Sequence, residues 1–230
     1  MDITEVVSLH MDISQNKPLK EIIYEAMRQS ILMGEIPTGT RINEKKFAEQ
    51  TNTSRTPVRY ALQKLCEEKL VDYVPGNGMI VKGISQKDAK EIFEIRKSLD
   101  FLATKNTMNH MDDVDFQHLD ALLSYTEKKN EAGEVDEVIR LFSEFNQFIY
   151  NKNEMPRLHS IVIGIQDYLS YFRNLSLYSK ERRRAAIGDH RKIFYAMQKK
   201  DEEELEALIN RHLDDSLFFI LEEMKRREIA

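Results

Sequence analysis

Two arginines, Arg55 and Arg59, stand four residues apart, just behind Ser54 and on a segment that also carries Val58, Ala61, Leu62 and Leu65. On a helix the four apolar residues share one arc, while Arg55, Thr56, Arg59 and Gln63 fall on another and stay exposed. A guanidinium donates two parallel N–H bonds to guanine O6 and N7 or to a phosphate, and a helix N-terminus itself favours anions. The chemistry on offer is recognition of a nucleic-acid groove. A second set, Arg96, Asn146, Arg173, His190 and His212, interrupts apolar stripes at helical spacing further along the chain. Buried charges are costly unless paired, so five such residues imply mutual pairing or a ligand. Arg96 and Arg173 suit a carboxylate or phosphate; His190 and His212 suit a metal or an anionic oxygen. Singly, each arginine could be an ordinary surface residue and each histidine a satisfied core residue.

The order of elements decides for the first set. Residues 1–16 show no periodicity and read as a flexible arm. From Pro18, Leu19, Ile22, Ile23, Ala26, Met27 and Ile31 form one helical face. Asn43 can cap a second helix with Phe47 and Ala48 inward, and Ser54 a third that runs to about Lys69, with Pro57 in its first turn. Short β-type runs at 70–74 and 79–81 flank Pro75-Gly-Asn-Gly78, a hairpin signal. This is the order of a winged helix-turn-helix over 17–84, in which Lys45 and Lys46 could hold the DNA backbone and Asn77 and Gly78 could reach a flanking groove. Beyond Gly83-Ile-Ser85, six helical segments are expected near 86–109, 112–131, 134–151, 154–179, 182–199 and 201–227. They predict an antiparallel all-α bundle over 85–230 and a mainly α chain. The run Arg182-Arg-Arg184 is expected as a solvated helix start.

Bulk properties fit. The chain has 230 residues and a net charge of −5, but residues 17–84 carry eleven Lys and Arg against eight Asp and Glu, while 85–230 carry twenty-three against twenty-eight. A basic module is joined to an acidic one. The single Cys66 excludes an internal disulfide framework, no apolar run is long enough to span a membrane, and the acidic N-terminus lacks the layout of a signal peptide. A cytoplasmic protein is expected.

The stretch Ile42-Asn-Glu-Lys-Lys-Phe-Ala-Glu49, followed by Ser54-Arg-Thr-Pro-Val-Arg-Tyr-Ala-Leu-Gln-Lys-Leu65 and Gly76-Asn-Gly-Met-Ile-Val81, resembles the DNA-binding domain of the GntR superfamily. That likeness implies Arg55 and Arg59 as the main DNA contacts, with Lys45 where the family often has arginine. Glu94-Ile-Arg96, Asp189-His-Arg-Lys-Ile193, Asp201 and His212 resemble the FCD sensor domain of the FadR branch. Many such domains hold a divalent metal through an aspartate, a histidine four residues later and two further histidines. His190 and His212 fill the last two places, but Phe142 replaces the aspartate and Asn146 the first histidine. Phenylalanine cannot ligate, and a neutral amide is a poor ligand for zinc or nickel.

The resemblance implies a DNA-binding transcription regulator, a homodimer on a short palindromic operator, with no membrane partner. The residues favour an organic effector held directly by Arg96, Asn146, Arg173, His190 and His212, and the resemblance implies that it is a small organic acid. Alternatives are a metal-responsive regulator using His190 and His212 with Asn146, an acyl-CoA sensor, a structural adaptor and, remotely, a metal-dependent hydrolase. No HExxH, nucleophile elbow or phosphate-cradling glycine loop supports an enzyme.

Overall fold

The computed structural model describes residues 2–229. Its contacts divide the chain into two compact units between Ile84 and Ser85.

The first unit is built from helices α1 (Ile3–His10), α2 (Leu19–Leu32), α3 (Glu44–Gln50) and α4 (Arg55–Glu67), with strands β1 (Arg41–Ile42), β2 (Val71–Val74) and β3 (Gly78–Val81). The apolar arc of α4, Val58, Ala61, Leu62 and Leu65, is fully buried, and it packs against α2, whose Ile23, Ala26 and Met27 are equally enclosed. Burial of each large side chain contributes about 1.5–3 kcal/mol, enough to fix the face that α4 turns outward. Asn43 caps α3, its side chain accepting from Lys46 N at 3.0 Å. Ser54 occupies the N-cap position of α4 but makes no side-chain capping bond. The sheet runs β1-β3-β2, all antiparallel, with Arg41 opposite Ile80 and Val74 opposite Gly78. Gly76 and Gly78 adopt φ of 83° and 82°, a left-handed conformation that other residues reach only with strain, so the hairpin tip depends on them.

The expected flexible arm is in fact partly ordered. Asp2 caps α1 by accepting from Thr4 N at 3.0 Å, and Val6 and Val7 are buried where α1 meets α2 and α3. An eight-residue helix buried through adjacent valines leaves no 3.6-residue stripe to detect.

The second unit is wholly helical: α5 (Gln86–His110), α6 (Asp113–Glu131), α7 (Val135–Lys152), α8 (Pro156–Asp167), α9 (Ser170–Ser176), α10 (Lys180–Lys199) and α11 (Glu202–Arg226). Capping boxes start α5, through Ser85 and Asp88, and α6, through Asp112 and Asp115. Helix α5 packs against α7, α8, α10 and α11, and α11 also against α9 and α10, forming the antiparallel bundle. The single helix expected over 154–179 is interrupted. Leu169 N bonds back three residues to Gln166 O (3.2 Å), and Ser170 Oγ donates to Asp167 O (3.0 Å), so a hydroxyl competes with the helix ladder at the break. Arg173 therefore rides on a short, separate helix.

Candidate functional sites

The outward face of α4 presents Arg55 and Arg59, with side chains 58% and 54% exposed. Both are clasped by Glu44, the first residue of α3. Its Oε1 accepts from Arg55 Nε at 2.8 Å and from Arg59 Nη2 at 2.9 Å, and its Oε2 from Arg59 Nε at 3.3 Å. The bond from Arg59, ahead of that from Arg55, holds the Glu44 carboxyl below its ordinary value. The carboxylate thus sits between two guanidinium groups, as a phosphate oxygen or base edge could. Thr56 and Gln63 are exposed on the same helix, Lys45 and Lys46 on α3, and Asn77 at the hairpin tip beside Gly78. Lys46 Nζ lies 3.6 Å from Asp2 Oδ2, which also accepts from Gln50 Nε2 at 2.7 Å. Sequence reasoning missed Glu44 and also Arg41. Arg41 is exposed on β1 and its guanidinium approaches the position where a side chain at Gly78 would begin. Neither lies on α4, so helical periodicity could not associate them with Arg55.

In the second unit, Arg96 on α5, Asn146 on α7, Arg173 on α9, His190 on α10 and His212 on α11 all line one cavity of about 60 Å³. Arg96 is buried and bidentate on Asp100, with Nη2 at 2.8 Å and Nε at 3.2 Å from Oδ2. Tyr150 donates to the other oxygen at 2.9 Å and accepts from Gln166 Nε2 at 2.5 Å. Burial disfavours the Arg96 charge, but Asp100 offsets it and keeps the pKa above the ordinary value. Burial, chiefly, pushes the Tyr150 hydroxyl upward. Arg173 donates to Ser143 Oγ and Asn174 Oδ1, both at 3.2 Å, and burial draws its pKa down.

His190 is stacked on Phe145 (ring centroids 4.4 Å, 8° between planes) and lies nearly perpendicular to Phe142, with ring centroids 5.0 Å apart. Its buried Nδ1 has no hydrogen-bond partner. Burial, then the nearby His212, Arg182 and Arg173, hold its pKa well below 6.5, so the ring is neutral. The ring of His212 is 4.9 Å from that of His190, and its Nδ1 is 3.4 Å from Asp189 Oδ2. Burial lowers the His212 pKa too, with the bond to Asp189 opposing.

This donor set does not fit a divalent metal. Among the described residues, no three His, Cys, Asp or Glu side chains are grouped to hold one. Phe142 sets its ring nearly perpendicular to His190 where a carboxylate would be needed, leaving two imidazoles and the neutral amide of Asn146.

The basic run at the start of α10 departs from expectation. Arg184 is exposed, but Arg182 and Arg183 are only 2% and 7% exposed. Arg183 donates to the carbonyls of Leu177 and Tyr178 at 2.8 and 2.9 Å, closing the end of α9. Arg182 lines the cavity, 5.7 Å over the ring of Phe219, and its Nε and Nη1 have no partner. The spacing Arg182, Ala186, His190 and Ile193 places all four on one face, a signal that sequence inspection could have used. Asp100, four residues after Arg96, was equally legible.

Two family profiles match in tandem. The profile "Bacterial regulatory proteins, gntR family" matches residues 19–81, and "FCD domain" matches residues 91–215. The chain is 28% identical over 206 residues to the uncharacterized HTH-type transcriptional regulator YdhC of Bacillus subtilis, covering 88% of this chain and 92% of the relative. It is 22% identical over 209 residues to the HTH-type transcriptional repressor RspR of Escherichia coli, covering 91% and 92%. The solved structure of E. coli McbR/YncC superposes with a TM-score of 0.64 at 21% identity, over 90% of this chain and 98% of that one, a likeness of fold. An exposed arginine pair on the third helix of a winged helix-turn-helix, a polar cavity inside a helical bundle and these two adjoining profiles lead to one assignment: the chain belongs to the gntR family of DNA-binding transcriptional regulators, in the FadR branch that carries a C-terminal FCD domain.

Proposed function

We propose that this protein is a cytoplasmic homodimer that reads a short palindromic operator, and that a small organic acid bound in the FCD bundle sets its operator affinity. The observation that carries the reading is the convergence of Arg96, Asn146, Arg173, His190 and His212, from five separate helices, on one cavity. A merely structural bundle gains nothing from enclosing a guanidinium with no carboxylate partner and an imidazole whose Nδ1 is unbonded, as at Arg173 and His190. Arg55 and Arg59 read base edges or phosphate, Thr56 and Gln63 extend the contact, and Lys45 and Lys46 neutralise phosphates. Asn77 and Gly78 bring the wing to a flanking groove. A ligand touching five helices favours one arrangement of the bundle over another. A coupling of roughly 1–3 kcal/mol suffices to switch operator occupancy.

The test is selection from random duplexes by the wild type and Arg59→Ala at two salt concentrations. The proposal expects a palindromic consensus that weakens steeply with salt and loses information in the mutant. Sequence-indifferent binding, or a consensus unchanged in Arg59→Ala, overturns it.

A further inference from the structure

The charges around the FCD cavity do not balance. Arg96 is matched by Asp100 at 2.8 Å. Arg173 bonds only to the neutral oxygens of Ser143 and Asn174. Arg96 and Arg182 oppose its charge through space, and Asp167 favours it only at a distance. Arg182 is 2% exposed, and its Nε and Nη1 are without partners. Asp189 and Asp215 act on Arg182 only at a distance, and Asp189 is already engaged by His212 at 3.4 Å and Lys192 at 3.9 Å. Among the described residues, no carboxylate lies within ion-pair distance of Arg173 or Arg182, and His190 beside them is neutral. Arg182, buried, and Arg173, half-buried, thus face the cavity with no carboxylate to discharge them. An uncompensated buried charge costs several kcal/mol, and a bound counter-charge recovers that cost on binding. The cavity is small, about 60 Å³, so the counter-charge is compact.

We infer that the effector is a compact dianion, one anionic group seated on Arg182 and the other on Arg173. The inference rests on the reading of the cavity as an effector site and adds to it a charge and an anchoring residue. A short dicarboxylate and a small phosphomonoester share this chemistry. Guanidinium pairing needs no metal, in agreement with the donor set around His190 and His212. The buried Nδ1 of His190, on the same cavity, remains to meet the ligand.

The experiment is calorimetric titration and thermal unfolding of the full chain at fixed ionic strength. Malonate, succinate, glutarate, glycerol phosphate, inorganic phosphate and sulfate are the dianion probes. Propionate and the half-amide succinamate are the monoanion controls. At least one dianion is expected to bind about tenfold or more tightly than the matched monoanion, since each charge-assisted contact is of that order. Succinate and glycerol phosphate separate the carboxylate and phosphate forms of the ligand. Arg182→Met should remove the preference for the dianion and raise the ligand-free Tm, because it deletes an unpaired buried charge. Arg182→Lys should keep part of the preference.

Equal binding of dianion and half-amide, no response to any dianion, or an undiminished preference in Arg182→Met would each overturn the inference. If Arg182→Met does not fold, the wild-type comparison of succinate with succinamate decides alone. Operator affinity measured in parallel separates the two readings. A dianion that binds without altering operator affinity refutes the regulatory role and leaves the dianion site. An operator response to a monoanion alone refutes the dianion site and leaves the regulatory role.

Discussion

Replacing Asp100 by asparagine keeps the shape of the side chain and removes the charge opposite Arg96. In the folded protein Asp100 accepts from Arg96 at 2.8 and 3.2 Å and from Tyr150 at 2.9 Å, and both members of the ion pair are only 10% exposed. Solvent screening is therefore weak, and the value for breaking a buried pair applies, about 3–5 kcal/mol. The loss is compounded because Arg173 and Arg182 line the same cavity, so three guanidinium groups would face it without a carboxylate partner. At roughly 2–4 °C per kcal/mol for a unit of this size, the Tm of the bundle should fall by about 6–20 °C. Changing both partners, Arg96→Met with Asp100→Leu, removes the charge together with its mate. Its remaining cost is the lost acceptor for the Tyr150 hydroxyl, about 1–3 kcal/mol. The double variant should thus be the more stable of the two. Differential scanning calorimetry, following the transition of the helical unit, measures both. A loss under about 1 kcal/mol in Asp100→Asn, typical of an exposed pair, would refute the burial of Arg96. So would a double variant no more stable than the single.

Other perturbations address other parts of the molecule. Arg59→Ala should cost about 1–3 kcal/mol on the operator and relax specificity at one base pair, whereas Lys46→Ala should weaken all duplexes alike and reduce the salt slope by about one, both read by fluorescence anisotropy. Glu44→Gln frees Arg55 and Arg59 and removes a negative charge from the outward face of α4. Non-specific affinity should therefore rise and the ratio of specific to non-specific binding fall by about tenfold in the same assay. His190 has a folded-state pKa well below 6.5, so it is neutral in the folded state while the unfolded chain takes up a proton as pH drops through 6.5. Stability should decline from pH 7 to pH 5 with a slope of up to about 1.4 kcal/mol per pH unit from this residue, and urea titrations of His190→Phe should show a shallower slope.

Much of this was legible from residue order. The winged helix could be read because α4 separates its faces cleanly: Val58, Ala61, Leu62 and Leu65 inward, Arg55 and Arg59 outward. Strand β1 is two residues long and owes its existence to pairing with β3, a partner distant in sequence, so no local pattern marks it. Helix α1 escaped notice because its buried valines are neighbours. The five cavity residues stood out as polar breaks in apolar stripes, but Arg182 was hidden within a basic run whose three members meet different fates. Arg182 faces the cavity, Arg183 seals the end of α9, and Arg184 meets solvent. Charge runs look uniform in sequence, while a helix distributes successive residues 100° apart. Glu44 was invisible for a different reason, since its partners lie on the next helix.

The interruption between α8 and α9 has an evolutionary consequence. Arg173 projects from a seven-residue helix bounded by turns, rather than from the middle of a long one. A residue inserted or deleted in a long packed helix rotates everything downstream by about 100° and scrambles its buried face. A length change in the turn at Tyr168-Leu169 can instead be absorbed before α10 begins, because turns tolerate insertion far better than packed helices do. One wall of the cavity can therefore be redrawn in relatives while α5, α7, α10 and α11 keep their register. A scaffold arranged in this way can change what its cavity admits without relearning how to fold.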